Sequence, residues 1–248
     1  METTLEKTYE KEYTIRSVEM DSEYLLKKID AVRFFQETYA LYCKDNKLAA
    51  FDLVDKNIYW VLAQMKVEYS GKMPKWSEDI KVRFWFSEIT KLKIFSEFQI
   101  IYNDEVIVKG DSIWFLLNTE TKRPIPPMPT LECLNVNSNL VFGEHTKFVK
   151  PQGGEFICSR NYKVGIFDID FNHHLNNLRY LDFAIRTLDD DYLVSHTLTS
   201  FTVQFQKECF LDDEIESSAY RKDEQNMYFI LTRKSDNMVV CEINMVLI

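Results

Sequence analysis

The chain has 248 residues, 46% of them hydrophobic and 14% aromatic, which is ample for a packed core and excludes wholesale disorder. Its 30 Lys and Arg stand against 39 Asp and Glu, a formal charge of -9, so generic binding to nucleic acid or to an anionic membrane would work against net repulsion. Cys43, Cys133, Cys158, Cys209 and Cys241 are scattered without a C-x-x-C pair, and this argues for reduced thiols and against a zinc site.

Residues 1–13 are charged and do not read as a signal peptide, and no apolar run approaches the roughly 20 residues of a membrane helix. A cytoplasmic protein is expected. Residues 9–18 read as a strand leading into a polar loop at 21–24. Asp30 is placed to cap a helix in which Val32, Phe35, Tyr39 and Tyr42 recur at helical spacing, with Lys44-Asp45-Asn46 closing it. Residues 60–69, 80–86, 95–102 and 106–118 are rich in β-branched and aromatic side chains, and Asn103-Asp104-Glu105 has the composition of a hairpin turn. Residues 121–130 hold four of the six prolines, which have no N–H to offer a ladder, so a domain should end there.

Residues 131–150 mix Asn, Ser and Gly with isolated apolar residues and read as a linker containing at most a short packed piece. Gly153-Gly154 then precedes a strand at 156–164. Next comes Asp168-Ile169-Asp170-Phe171-Asn172-His173-His174-Leu175-Asn176-Asn177, two carboxylates, three amides and two imidazoles where a loop becomes a helix at 178–188. Strands follow at 198–205, 214–220, 227–234 and 239–248, with Ser235-Asp236-Asn237 as the second hairpin turn.

Laid side by side, the halves share one order: strand, polar loop, helix, four antiparallel strands. Val67-Glu68-Tyr69 up to Asp79-Ile80-Lys81 resembles Val203-Gln204-Phe205 up to Glu214-Ile215-Glu216, which points to an internal duplication. The expected class is α+β, with domains at 1–130 and 151–248 joined by the linker 131–150.

These residues resemble the acyl-acyl carrier protein thioesterases, a family built as a tandem double hotdog, each half an antiparallel sheet wrapped on a central helix. The family's Asp-x-Asn-x-His-x-Asn-Asn run is matched by Asp170, Asn172, His174, Asn176 and Asn177, with Tyr180 following; its Glu-Cys pair on the next strand is matched by Glu208-Cys209. Trp60 followed by Pro74-Lys75-Trp76, and Trp114 followed by Thr121-Lys122-Arg123-Pro124, look like family signatures of the first half. Plastid members carry a targeting extension that this sequence lacks, so it looks like the bacterial branch.

The resemblance implies hydrolysis of acyl-acyl carrier protein to free fatty acid, ending chain elongation, with Asp170, Asn172, His174 and Glu208 in the catalytic positions. A carboxylate such as Glu208 can take a proton from water, His174 can hydrogen-bond the carbonyl region or protonate the departing sulfur, and Asn172 can position water or substrate. Asp170 can fix the histidine. Backbone N–H groups around Asn176 and Asn177 suit the oxyanion. Cys209 occupies a position once proposed as a nucleophile, but thiolate attack would exchange one thioester for another, and its parity with Phe201, Val203 and Phe205 puts it on the apolar side.

Aligned on its helix, the first half sets Asp21 opposite Asp170 but Glu23, Leu25 and Lys27 opposite Asn172, His174 and Asn176. Chemistry is therefore assigned to the second domain, acyl pocket and partner surface to the first. No metal or organic cofactor is required. An acidic carrier protein would need a basic face, drawn from residues such as Lys27, Lys28, Arg33, Arg179 and Arg186, and a duplicated chain is compatible with a monomer or a homodimer. A non-catalytic acyl-binding module and a hotdog 3-hydroxyacyl thioester dehydratase are the competing readings. Outside the motif, the tryptophans are expected to be packing residues, Asp189-Asp190-Asp191 a solvated turn, and His145, His173 and His196 ordinary or solvent-facing.

Overall fold

The computed structural model describes residues 8–132 and 134–248, so the start of the chain before residue 8 and Cys133 lie outside the described residues. Two units are distinguished, Met1–Thr146 and Lys147–Ile248.

In the first, β1 (Tyr9–Thr14) leads through a 3-10 turn at Ser17–Glu19 into α1 (Lys28–Asp45) and the short α2 (Ala50–Leu53). The strands β2 (Ile58–Tyr69), β3 (Asp79–Ile89), β4 (Ile94–Tyr102) and β5 (Glu105–Asn118) complete an antiparallel sheet in the order β1-β3-β4-β5-β2. The hairpin between β4 and β5 turns on Asn103 and Asp104, both at positive φ, as a tight two-residue turn demands.

The first helix begins two residues before the expected cap. Lys27 is the N-cap, and Asp30 lies in the first turn, where its buried carboxylate meets the positive helix end and pairs with Arg33 and Lys27. α1 buries Ala31, Val32, Phe34, Phe35, Thr38, Tyr39 and Cys43. Phe35 stacks on Phe98 of β4 at 4.9 Å and Tyr39 on Trp114 of β5 at 4.2 Å. Gly110 lies under this contact: a Cβ there would come within 2.7 Å of the Lys66 carbonyl and 3.4 Å of the Phe35 ring.

The proline-rich stretch does add to the ladder, briefly. β6 (Pro124–Ile125) pairs with Leu116 and Leu117 of β5, with Pro124 as first residue of an edge strand, where the missing donor matters least. Beyond it, residues 134–146 cover the sheet face opposite α1. Trp85 donates from Nε1 to the Asn139 carbonyl, Glu97 accepts from the Val141 N–H, Asp111 accepts from the Thr146 N–H, and Gln64 donates to the Thr146 carbonyl.

The second unit repeats the path. β7 (Glu155–Lys163), a 3-10 turn at Ile166–Asp168 and α3 (Asn177–Ile185) are followed by α4 (Asp190–Ser195), β8 (Leu198–Phe205), β9 (Glu214–Arg221), β10 (Asn226–Arg233) and β11 (Met238–Leu247). Its order, β7-β9-β10-β11-β8, is that of the first unit, strand for strand. α3 buries Leu178, Tyr180, Leu181, Phe183 and Ala184, the stripe expected of a helix on a sheet, and Tyr162 stacks on Phe183 at 4.5 Å. The acidic run 189–191 is not a plain turn: Asp189 caps the Asp191 N–H and starts α4, with the following carboxylates at the favourable helix end.

Candidate active site

The polar run closes on itself before α3 begins. The Asp170 N–H donates to the His174 carbonyl at 2.8 Å, and the Asp170 carboxylate accepts from the N–H groups of Asn172 and His174 at 2.8 and 3.3 Å. Aspartate suits this position because a short carboxylate can cap the backbone two and four residues on. Ile169 pairs with Leu175, and His173 takes φ +63° at the tip. Asp170 therefore holds His174 by its backbone.

The first unit builds the same turn. Asp21 accepts from the N–H groups of Glu23 and Leu25, the Asp21 N–H donates to the Leu25 carbonyl, and Tyr24 takes φ +63°. The backbone device is common to both units; the imidazole and amides belong to one.

Helix α3 is anchored just after the turn. Asn176 is its N-cap, accepting from the Leu178 N–H at 2.9 Å, while its own N–H donates to the Asp168 carbonyl. Of the N–H groups expected to receive an oxyanion, those of Asn176 and Leu178 are thus committed to the fold, and that of Asn177 is the one left at the helix start. Among the described residues, the Asn172 side-chain amide also has no hydrogen-bond partner. Arg179 ties the helix back to the 3-10 turn through Asp168, at 3.2 Å, and pairs with Asp182 at 2.9 Å.

Glu208 and Cys209 lie past the end of β8, in the loop to β9, rather than on the strand. Proximity to the turn is enforced by the backbone: the Leu175 N–H donates to the Cys209 carbonyl at 2.8 Å. Across that tie, His174 Nε2 and Glu208 Oε2 approach to 3.4 Å, with 17% and 28% of their side chains exposed, sheltered yet open to water. His174 also meets the Phe210 ring edge-on at 5.2 Å. Cys209 points the other way. It is fully buried beside Tyr180, and burial pushes its thiol up to about 11, so at neutral pH it is an unreactive core thiol.

The Glu208 loop has a further anchor that reading the chain in order misses, because it comes from β10. Arg233 Nη1 donates to the Glu208 carbonyl at 3.0 Å, while Nε and Nη2 grip both oxygens of Asp236 at 3.1 and 2.6 Å. The only local signal was an arginine next to the Ser235-Asp236-Asn237 turn. Phe167, Phe171, Phe210 and Leu211 are exposed on the two loops that carry His174 and Glu208. A shallow depression of about 650 Å³ between α4 and the β9–β10 turn shares no residue with this group, and His196 there stacks on Tyr192 at 3.9 Å.

Known proteins of similar sequence and structure give this arrangement a context. Residues 155–245 match the model of the acyl-ACP thioesterase C-terminal domain and residues 6–129 that of the acyl-ACP thioesterase N-terminal domain. The chain is 25% identical over 224 residues to a chloroplastic palmitoyl-acyl carrier protein thioesterase of Gossypium hirsutum, covering 84% of this chain and 54% of that protein. It is 22% identical over 223 residues to a chloroplastic dodecanoyl-[acyl-carrier-protein] hydrolase of Cinnamomum camphora, covering 84% and 58%. The chain spans about half the length of the curated relatives it matches.

Among solved structures, an acyl-ACP thioesterase from Bacteroides thetaiotaomicron superposes with a TM-score of 0.83 at 18% identity, covering 99% of this chain and all of that one. A 12:0-ACP thioesterase from Umbellularia californica gives 0.84 at 18% identity, covering 97% of both. At such identities the likeness is one of fold, the tandem double hotdog. Two family models that together span nearly the whole sequence place the chain in the acyl-ACP thioesterase family.

Proposed function

We propose that the protein hydrolyses acyl-acyl carrier protein thioesters, releasing a free fatty acid and the carrier thiol and so ending chain elongation. The observation that carries this reading is the 3.4 Å approach of His174 to Glu208, two residues far apart in the chain that meet at a solvent-accessible loop. Glu208 takes a proton from water as the oxygen attacks the thioester carbonyl carbon. The Asn177 N–H and the Asn172 amide receive the oxyanion. Collapse breaks the carbon–sulfur bond, and the proton taken by Glu208 reaches the departing sulfur through His174. Water, these side chains and one backbone N–H supply every step.

Asp170 serves by shaping the turn that presents His174. The first unit, with Leu25 where the second has His174, contributes binding: acyl-chain contacts and carrier-protein surface. The exposed aromatic rim of Phe167, Phe171 and Phe210 suits an apolar substrate approaching the second unit.

The test is thiol release from acyl chains of graded length, presented on carrier protein and on CoA. Glu208→Gln and His174→Ala should each lower kcat by about 10²–10⁴-fold, the usual contribution of general acid–base groups. Unchanged turnover in both variants would remove the site.

A further inference from the structure

We infer that Arg233 is a positioning residue for Glu208: its guanidinium fixes the backbone of the loop that carries the carboxylate, and so sets the Glu208–His174 distance. The inference rests on the hydrolase reading above.

Four polar contacts converge on this one side chain, which is 17% exposed. Nη1 donates to the Glu208 carbonyl at 3.0 Å and lies 3.7 Å from Asp213 Oδ2; Nε and Nη2 are held by Asp236 in the turn between β10 and β11. That same Asp213 oxygen accepts from the Phe210 N–H at 2.8 Å. One planar cation therefore joins the loop at Glu208 and at Asp213 to a rigid hairpin, a geometry for which lysine, a point charge without the fork, is a poor substitute.

The need for such a clamp follows from where Glu208 lies. A residue on a strand has its direction fixed by the ladder; a residue beyond the strand end does not, and a displacement of about 1 Å at a general base can cost on the order of 10²-fold in rate. The loop is tied on one side by the Leu175–Cys209 bond and by the N–H groups of Gln206 and Lys207, which both donate to the Val240 carbonyl. Arg233 supplies the tie at Glu208 itself.

The first unit provides an internal comparison. Bonds from Ile15 to Glu78 and from Val164 to Asp213, and from Leu26 to Pro74 and from Leu175 to Cys209, set the two loops in register. By that register Met73 stands opposite Glu208; carried across the strand pairs Lys81–Ile101 and Thr232–Glu216, it sets Tyr102 opposite Arg233. Met73 is a buried apolar residue, and Tyr102 hydrogen-bonds Glu78, the counterpart of Asp213. The tie to the flanking acid is thus common to both units. The guanidinium reaching the loop backbone occurs in the unit where this position is a carboxylate, Glu208, and not a methionine.

The experiment compares Arg233→Met, Arg233→Lys and Asp236→Asn with Glu208→Gln in the full chain, measuring kcat and KM on one acyl-carrier thioester together with the thermal unfolding midpoint. Arg233→Met should fold and lose about 10- to 100-fold in kcat with KM within about twofold, Arg233→Lys should recover only part of that, and Asp236→Asn, which loosens the grip while keeping the cation, should fall between. A purely structural role would lower the midpoint without this split between kcat and KM. Should Arg233→Met fail to fold, Asp236→Asn decides by the same kcat reading. A folded Arg233→Met or Asp236→Asn with the parent kcat, beside an inactive Glu208→Gln, overturns the positioning role alone; an active Glu208→Gln removes Glu208 from the chemistry and the inference with it, and a parent protein that releases no thiol overturns the hydrolase reading.

Discussion

Cys209 and Glu208 are neighbours in sequence with opposite fates, and the difference is set by which way each side chain leaves a loop. The thiol goes into the core beside Tyr180 and is held neutral by burial, its pKa raised to about 11, whereas the carboxylate stays 28% exposed against His174. A nucleophile needs its thiolate, and raising a thiol this far leaves almost none at neutral pH. Cys209→Ala should therefore keep kcat within about threefold while costing about 1 kcal/mol of stability for the lost sulfur contacts. Kinetics and a denaturant titration on that one variant check both halves; a collapse of kcat in a stably folded protein would return Cys209 to the chemistry.

Among the elements, the sheet face opposite α1 carries a second group of acids. Glu97 on β4 and Asp111 on β5 are direct cross-strand partners, 1% and 5% exposed, and residues 134–146 lie over them. Glu97 accepts from Ser87 and from the Val141 N–H, and His145, stacked on Phe95 and paired with Glu88, sits 3.9 Å away; the imidazole that looked isolated in sequence belongs to a cluster. Burial first, and then Asp111, push the Glu97 carboxyl up to about 7, and burial also raises Asp111. A carboxyl with a folded pKa above its unfolded value holds its proton more tightly when folded, so its stabilising effect is complete below about 4.5 and declines as pH rises towards 7. The loss amounts to about 3 kcal/mol. Glu97→Gln, neutral at every pH and still able to accept from Val141, should gain stability relative to the parent as pH goes from 5 to 8, read as the difference in unfolding free energy. A difference independent of pH would mean that Glu97 does not titrate in the folded protein. Element types were legible from alternation and from the Asn-Asp turn, because both report local backbone preference. The cluster was not, since Glu97, Asp111 and His145 come together only through strand pairing and the return of 134–146.

For the molecule as a whole, the repeat is the fact that orders the rest. Period and turn chemistry make it readable in the sequence, and the same regularity locates Asp170, Asn172, His174 and Asn176-Asn177 at a loop-to-helix junction. It could not place Glu208 off the strand or reveal Arg233, because loop path and cross-strand anchoring are tertiary. Duplication also separates two roles that one aspartate combines. Asp21 and Asp170 each cap two backbone N–H groups in turns of the same hydrogen-bond pattern, yet only the second turn presents an imidazole to a carboxylate. Asp21→Ala and Asp170→Ala should therefore cost similar stability, about 1 kcal/mol each for the lost acceptor. Their effects on turnover should diverge: within about threefold for Asp21→Ala, at least about 10²-fold for Asp170→Ala, since a turn that slips by about 1 Å displaces His174 from Glu208. Melting curves and kcat for the pair test this directly. Equal losses of kcat would show that both turns serve the reaction, and equal retention would show that Asp170 does not govern the placement of His174.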